Sequence, residues 1–141
     1  SCTSWPMGQE LDVFTHTCSN ETNSVCVMRH FWSGGSWPGY EHTRLRYYVD
    51  GETTSSVSFP LGLGHGSTMA DDDAPWSAGG TFGKTGQPSG IFNTYAIPFT
   101  SVRVTVTLLD APQNENEDED HYTGRTESFW IILRGHTLLN S

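Results

Sequence analysis

Val102-Arg103-Val104-Thr105-Val106-Thr107-Leu108 is the stretch that decides the fold. Val102, Val104, Val106 and Leu108 point one way, and Arg103, Thr105 and Thr107 point the other. A period of two is the signature of a β-strand with one buried face. The same pattern recurs upstream. Leu45, Tyr47 and Val49 alternate with Arg44, Arg46 and Tyr48, and Asp50-Gly51 then supplies a turn. Val57-Ser58-Phe59 returns as the partner strand, and Pro60, which has no N–H to donate, ends it. Residues 11–14, 25–32, 91–97 and 128–133 have the composition of further strands. No segment longer than about ten residues has helical period, which excludes βαβ folds. Short strands joined by turn residues point to an all-β sandwich. The reading adopted is one jelly-roll domain spanning residues 1–141.

Composition agrees with that class. The chain has 141 residues, 15 Gly, 7 Pro and 12% aromatic residues, a mixture suited to one β-rich domain with its own core. Residues 62–90 contain eight of the glycines and few β-branched residues, and are expected to form one long loop. The net charge of −9 is unevenly placed. Asp71, Asp72 and Asp73 form one cluster; Asp110, Glu115, Glu117, Asp118, Glu119 and Asp120 form another. The remaining acids balance the 7 basic residues. With no basic patch to meet a phosphate backbone, a nucleic-acid partner is not expected. No apolar run is long enough to cross a membrane as a helix.

Three cysteines, Cys2, Cys18 and Cys26, lie in the first 26 residues. Their spacing is not that of a zinc or thioredoxin-type motif. One internal disulfide is expected. Cys18–Cys26 closes the shorter loop, and Cys2–Cys18 is the alternative. Asn20-Glu21-Thr22 between them is an acceptor sequence for N-glycosylation, so Asn20 is the expected glycan site. Sequon and disulfide together point to a secreted, extracellular chain. The start at Ser1-Cys2, without a Met, fits a mature or trimmed chain, so the lack of a signal peptide does not point to the cytosol.

Several motifs, in order, resemble one family. These are His30-Phe31-Trp32-Ser33, Leu45-Arg46-Tyr47-Tyr48-Val49-Asp50-Gly51-Glu52, and Val57-Ser58-Phe59-Pro60-Leu61-Gly62. Ser89-Gly90-Ile91-Phe92-Asn93-Thr94-Tyr95, Ile97-Pro98-Phe99 and Phe129-Trp130-Ile131-Ile132 follow. Across roughly residues 25–135 the chain resembles the first half of the domain of unknown function 2961 proteins, now glycoside hydrolase family 172. The resemblance implies jelly rolls that pack in tandem and assemble into trimers and hexamers. It also implies activity on fructose- or arabinose-containing glycosides using two carboxylates. The present chain has the length of one roll, and Leu63-Gly64-His65 stands where the family has an acidic motif, usually Asp-Phe-Phe. The resemblance therefore implies no catalytic residue here.

The residues themselves agree. A glycosidase needs a carboxylate pair with one member kept protonated by an apolar setting. Glu10, Asp12, Glu21, Glu41, Asp50, Glu52 and Glu127 lie outside the acidic clusters, and none has apolar sequence neighbours of that kind. The six histidines lack metal-ligand spacing, so no cofactor and no metal are expected. The two acidic clusters have the hard oxygen chemistry of calcium ligands, but not the spacing of a calcium loop; a solvated, self-repelling loop is the plainer reading. Trp37 and Trp76 are the loop tryptophans suited to stacking on a sugar; Trp32 and Trp130, in strand runs, are expected in the core. Phe129-Trp130-Ile131-Ile132-Leu133 is apolar on both faces, which suits a strand buried in an assembly. The expected function is a non-catalytic, extracellular structural module whose partners are copies of itself, in a filament or closed oligomer. The alternative is a carbohydrate-binding or glycoside-processing protein with glycan partners.

Overall fold

The computed structural model describes residues 3–19, 24–35, 40–65, 76–78, 82–86, 89–109 and 126–139. Its strands are β1 (Thr3–Pro6), β2 (Glu10–Thr17), β3 (Ser24–Gly35), β4 (Arg44–Val49), β5 (Val57–Pro60), β6 (Trp76–Ala78), β7 (Phe82–Gly86), β8 (Ser89–Phe99), β9 (Ser101–Thr107) and β10 (Thr126–Leu139). A 3₁₀ turn at Tyr40–His42 and a five-residue helix, α1 (Leu61–His65), complete the described elements.

The strands form two antiparallel sheets. One has the order β1-β10-β3-β8-β7-β6 and the other β2-β9-β4-β5. The pairs β1·β10, β2·β9, β3·β8 and β4·β5 link strands at ever smaller sequence separation. That is the pairing of one long antiparallel hairpin, rolled so that β10 also meets β3 and β9 also meets β4.

The decisive stretch occupies the middle of the smaller sheet. Val102, Val104, Val106 and Leu108 are buried with Leu45, Tyr47 and Leu61 in the core between the sheets. Phe31 and Phe129 enter the same core from the larger sheet. Full burial of each such side chain contributes on the order of 2 kcal/mol, and the period-two pattern exists to align these contributions.

The turn after β4 is as expected. Asp50 has φ 52° and Gly51 has φ 80°, left-handed values that Asp tolerates and glycine adopts without strain. The Asp50 carboxylate accepts hydrogen bonds from the Thr100 and Ser101 backbone N–H groups and from the Thr100 hydroxyl. This ties the β4–β5 turn to the β8–β9 turn.

Two expectations need correction. Residues 62–90 are not one continuous loop: α1 lies at their start, and β6 and β7 form a hairpin that extends the larger sheet beyond β8. The short β6 and the glycine-bearing β7 are recruited here by backbone pairing, without the side-chain alternation that marks the others. Trp32 and Trp130 are not in the core. They alternate with the buried Phe31, Ser33 and Phe129, and so lie half-buried on the outer face of the larger sheet.

Candidate functional site

The outer face of the larger sheet, where β10 runs beside β3, is the most unusual surface among the described residues. Ile132 pairs with Trp32 and Leu138 with Val25 across the β3–β10 ladder. Ile132, Leu138 and Val25 are 42%, 51% and 37% exposed. Trp130 sits one pleat from Ile132 on the same face. Large apolar side chains thus line up on a surface that water reaches.

The edge of the same strand is open. β1 is four residues long and pairs only with residues 126–129 of β10. Among the described residues, no strand pairs with residues 130–139 on the side away from β3. Gly135 lies within this stretch, at a bulge between Arg134 and Gly135. A Cβ there would collide with the backbone carbonyl of Val27, so glycine lets the two backbones approach.

The expected assembly residues therefore divide. Phe129 is spent on the core of its own chain, and Ile131 and Leu133 pack half-buried against that core. Trp130 and Ile132 face outward.

Four of the described carboxylates, Glu10, Asp12, Asp50 and Glu52, are committed to structural contacts. Glu10 accepts hydrogen bonds from the Tyr48 hydroxyl (2.6 Å) and the Thr105 hydroxyl (2.7 Å). These contacts hold its carboxyl below the usual range and hold the Tyr48 phenol above its own. Asp12 pairs with Arg103 at 3.0 Å, and the Arg103 guanidinium stacks 4.0 Å from the centre of the Tyr48 ring. Glu52 accepts from the Val49 N–H and the Ser56 hydroxyl, and its carboxyl too is held low. Asp50 is engaged in its turn. Glu10, Asp50 and Glu52 are all held low, opposite to the shift a general acid at neutral pH requires.

Cys18 and Cys26 come together as a disulfide pair with a Cα–Cα distance of 6.1 Å. Cys18 follows β2 and Cys26 lies in β3, so the pair staples one sheet to the other. The loop between them is closed at its base by a hydrogen bond from the Ser24 hydroxyl to the Ser19 carbonyl (3.0 Å). His16, on β2, lies beside the pair. A donor atom of His16 and the two sulfurs all fall within 4.8 Å of one another. A cavity of about 330 Å³ adjoins them, with Phe14, Met28, Phe99 and His136 in its wall. Sequence spacing did not reveal this grouping, because it depends on where two sheets meet.

Asn20, Cys2, Trp37 and both acidic clusters lie outside the described residues. Trp76 falls in β6, with its side chain outside that description. Among the described residues, no helix is long and apolar enough to cross a membrane. No protein-family model matches the chain, and no curated protein matches it significantly in sequence.

Proposed function

We propose that this chain is an extracellular, non-catalytic structural module that assembles with copies of itself by strand addition at β10. The carrying observation is the open edge at residues 130–139, where backbone N–H and C=O groups lack a strand partner among the described residues. A long, apolar, unpaired edge is a template for another strand. The outward Trp32, Trp130 and Ile132 continue that edge onto the sheet face, so an added chain would gain both ladder hydrogen bonds and apolar burial. A few hundred Å² of apolar burial per contact would contribute several kcal/mol, at about 25 cal/mol per Å², before association costs are subtracted. If each contact is head-to-tail and does not close on itself, the product is a filament; if it closes, a ring.

The strand order supports a jelly roll, since a rolled hairpin of eight strands with one inserted hairpin is that topology. This agrees with the resemblance to the first half of glycoside hydrolase family 172, whose rolls pack side by side. The Cys18–Cys26 pair and the sequon at Asn20 support secretion and N-glycosylation. A second reading, carbohydrate binding, is favoured by one feature: Trp32 and Trp130 on one face, both suited to stacking on sugar rings.

Sedimentation velocity and negative-stain microscopy at micromolar concentration test the proposal. The wild-type chain is expected to form oligomers or fibres. The double variant Ile132→Lys, Leu138→Lys, which places charge along the edge, is expected to stay monomeric with unchanged circular dichroism. A wild-type chain that remains a monomer at every concentration overturns assembly. A glycan array then tests the second reading.

A further inference from the structure

We infer that His16, Cys18 and Cys26 form a binding site for one Zn²⁺-class cation whenever the two cysteines are reduced. The inference is independent of the assembly reading. His16 lies near the end of β2 and Cys18 just past it, and β3 brings Cys26 to them from the opposite sheet. The His16 ring is oriented by two aromatic neighbours, stacked on Phe14 at 6.1 Å and edge-on to Phe99 at 6.2 Å.

The three donor atoms, within 4.8 Å of one another, are close to the spacing a cation requires. Tetrahedral zinc with bonds of about 2.0–2.3 Å puts its ligand atoms roughly 3.4–3.8 Å apart. Reduction frees the two sulfurs, joined in the disulfide, to move apart from a bond of about 2 Å to that spacing, while the His16 nitrogen closes on them by roughly 1 Å. Two thiolates and one imidazole are the soft and borderline donors zinc prefers. The adjoining cavity of about 330 Å³ leaves room for a fourth ligand, such as water.

Disulfide and metal site exclude each other, so the cysteine pair has two states. An external thiol reduces the Cys18–Cys26 bond: the S–S bond accepts two electrons and two protons, and two molecules of the thiol leave joined as their own disulfide. The cation then displaces both thiol protons to solvent, forming two metal–sulfur bonds, and neutral His16 donates a nitrogen lone pair. The same loading applies to a newly made chain before oxidation, and metal held there would shield the thiols from mispairing.

The test uses the full chain, reduced, freed of reductant and kept under inert gas. Co²⁺, a spectroscopic stand-in for Zn²⁺, is expected to bind at one equivalent with a sulfur-to-cobalt charge-transfer band and intense tetrahedral visible bands. Zn²⁺ should displace it and raise the melting temperature of the reduced chain. His16→Ala should weaken Zn²⁺ binding by roughly tenfold or more, and the oxidised chain should give no charge-transfer band. Equal affinity of the reduced wild type and His16→Ala overturns the proposal. So does a reduced chain that loses its β-sheet circular dichroism and does not regain it with Zn²⁺.

Discussion

Asp50 and Thr100, fifty residues apart in sequence, meet through a single carboxylate oxygen. Asp50 Oδ1 accepts the Thr100 backbone N–H at 2.7 Å and the Thr100 hydroxyl at 2.8 Å. The Ser101 backbone N–H, which bonds the same oxygen, and these two Thr100 contacts together hold the carboxyl below its ordinary value of 3.8. A group depressed in the folded state adds stability that is present above its unfolded pKa and lost as pH falls through the folded value. Asp50→Asn keeps a residue that tolerates positive φ but removes the charge. It is expected to lower the melting temperature by a few degrees at pH 7. The difference from wild type should shrink progressively below pH 3.8. A difference unchanged by acidification would assign the effect to turn geometry.

Gly135→Ala tests the close approach of β10 to β3. The added Cβ meets the Val27 carbonyl, which is backbone and has little freedom to move. The expected cost is about 1–3 kcal/mol, read as a lowered urea midpoint. Gly8 has open space around it but a φ of 76°. Gly8→Ala therefore reports backbone strain alone and serves as the comparison.

Thr43 is fully buried, and its hydroxyl has no partner among the described residues. An unsatisfied buried hydroxyl costs stability, while a methyl of similar size does not. Thr43→Val is expected to raise stability by about 1 kcal/mol in urea unfolding. A loss of stability would mean that the hydroxyl has a partner.

At the alkaline end, Tyr47 lies in the core, and burial pushes its phenol above the ordinary value of 10.0. A pKa raised in the folded state means full stability below the unfolded value and loss as pH rises from there towards the folded value. Stability should fall as pH rises beyond 10.0, and Tyr47→Phe should flatten that fall. Tyr40, buried and bonded to Ser33, contributes a second component that this substitution leaves in place.

The strands with one wet face were legible from alternation. The stretch from Val102 announced β9, and Asp50-Gly51 announced its turn. Tryptophans in β3 and β10 misled the reading because both faces of those strands are apolar, and period two then cannot say which face is inside. Phe129 and Trp130 are adjacent and similar in chemistry, and only the packed sheets separate core from surface. Strand β10 runs to Leu139, past the apolar block, because Arg134-Gly135-His136-Thr137 is held by pairing with β3 and carries no signal of its own. The β6–β7 hairpin escaped notice for the same reason. Of the site residues, loop length favoured the Cys18–Cys26 pair but left Cys2–Cys18 open, and the nearness of His16 depends on how the two sheets meet.

The rolled pairing also sets a schedule. Residues 24–35 wait for residues 126–139 to complete the ladder that carries the open edge, and closing so large a loop is slow compared with local turns. A ribosome or export channel that delivers the chain from its N-terminal side releases β10 after β1–β9. If the chain assembles as proposed, its joining surface comes into being only once the rest of the domain is present to fold, which would keep a half-made chain out of a growing polymer.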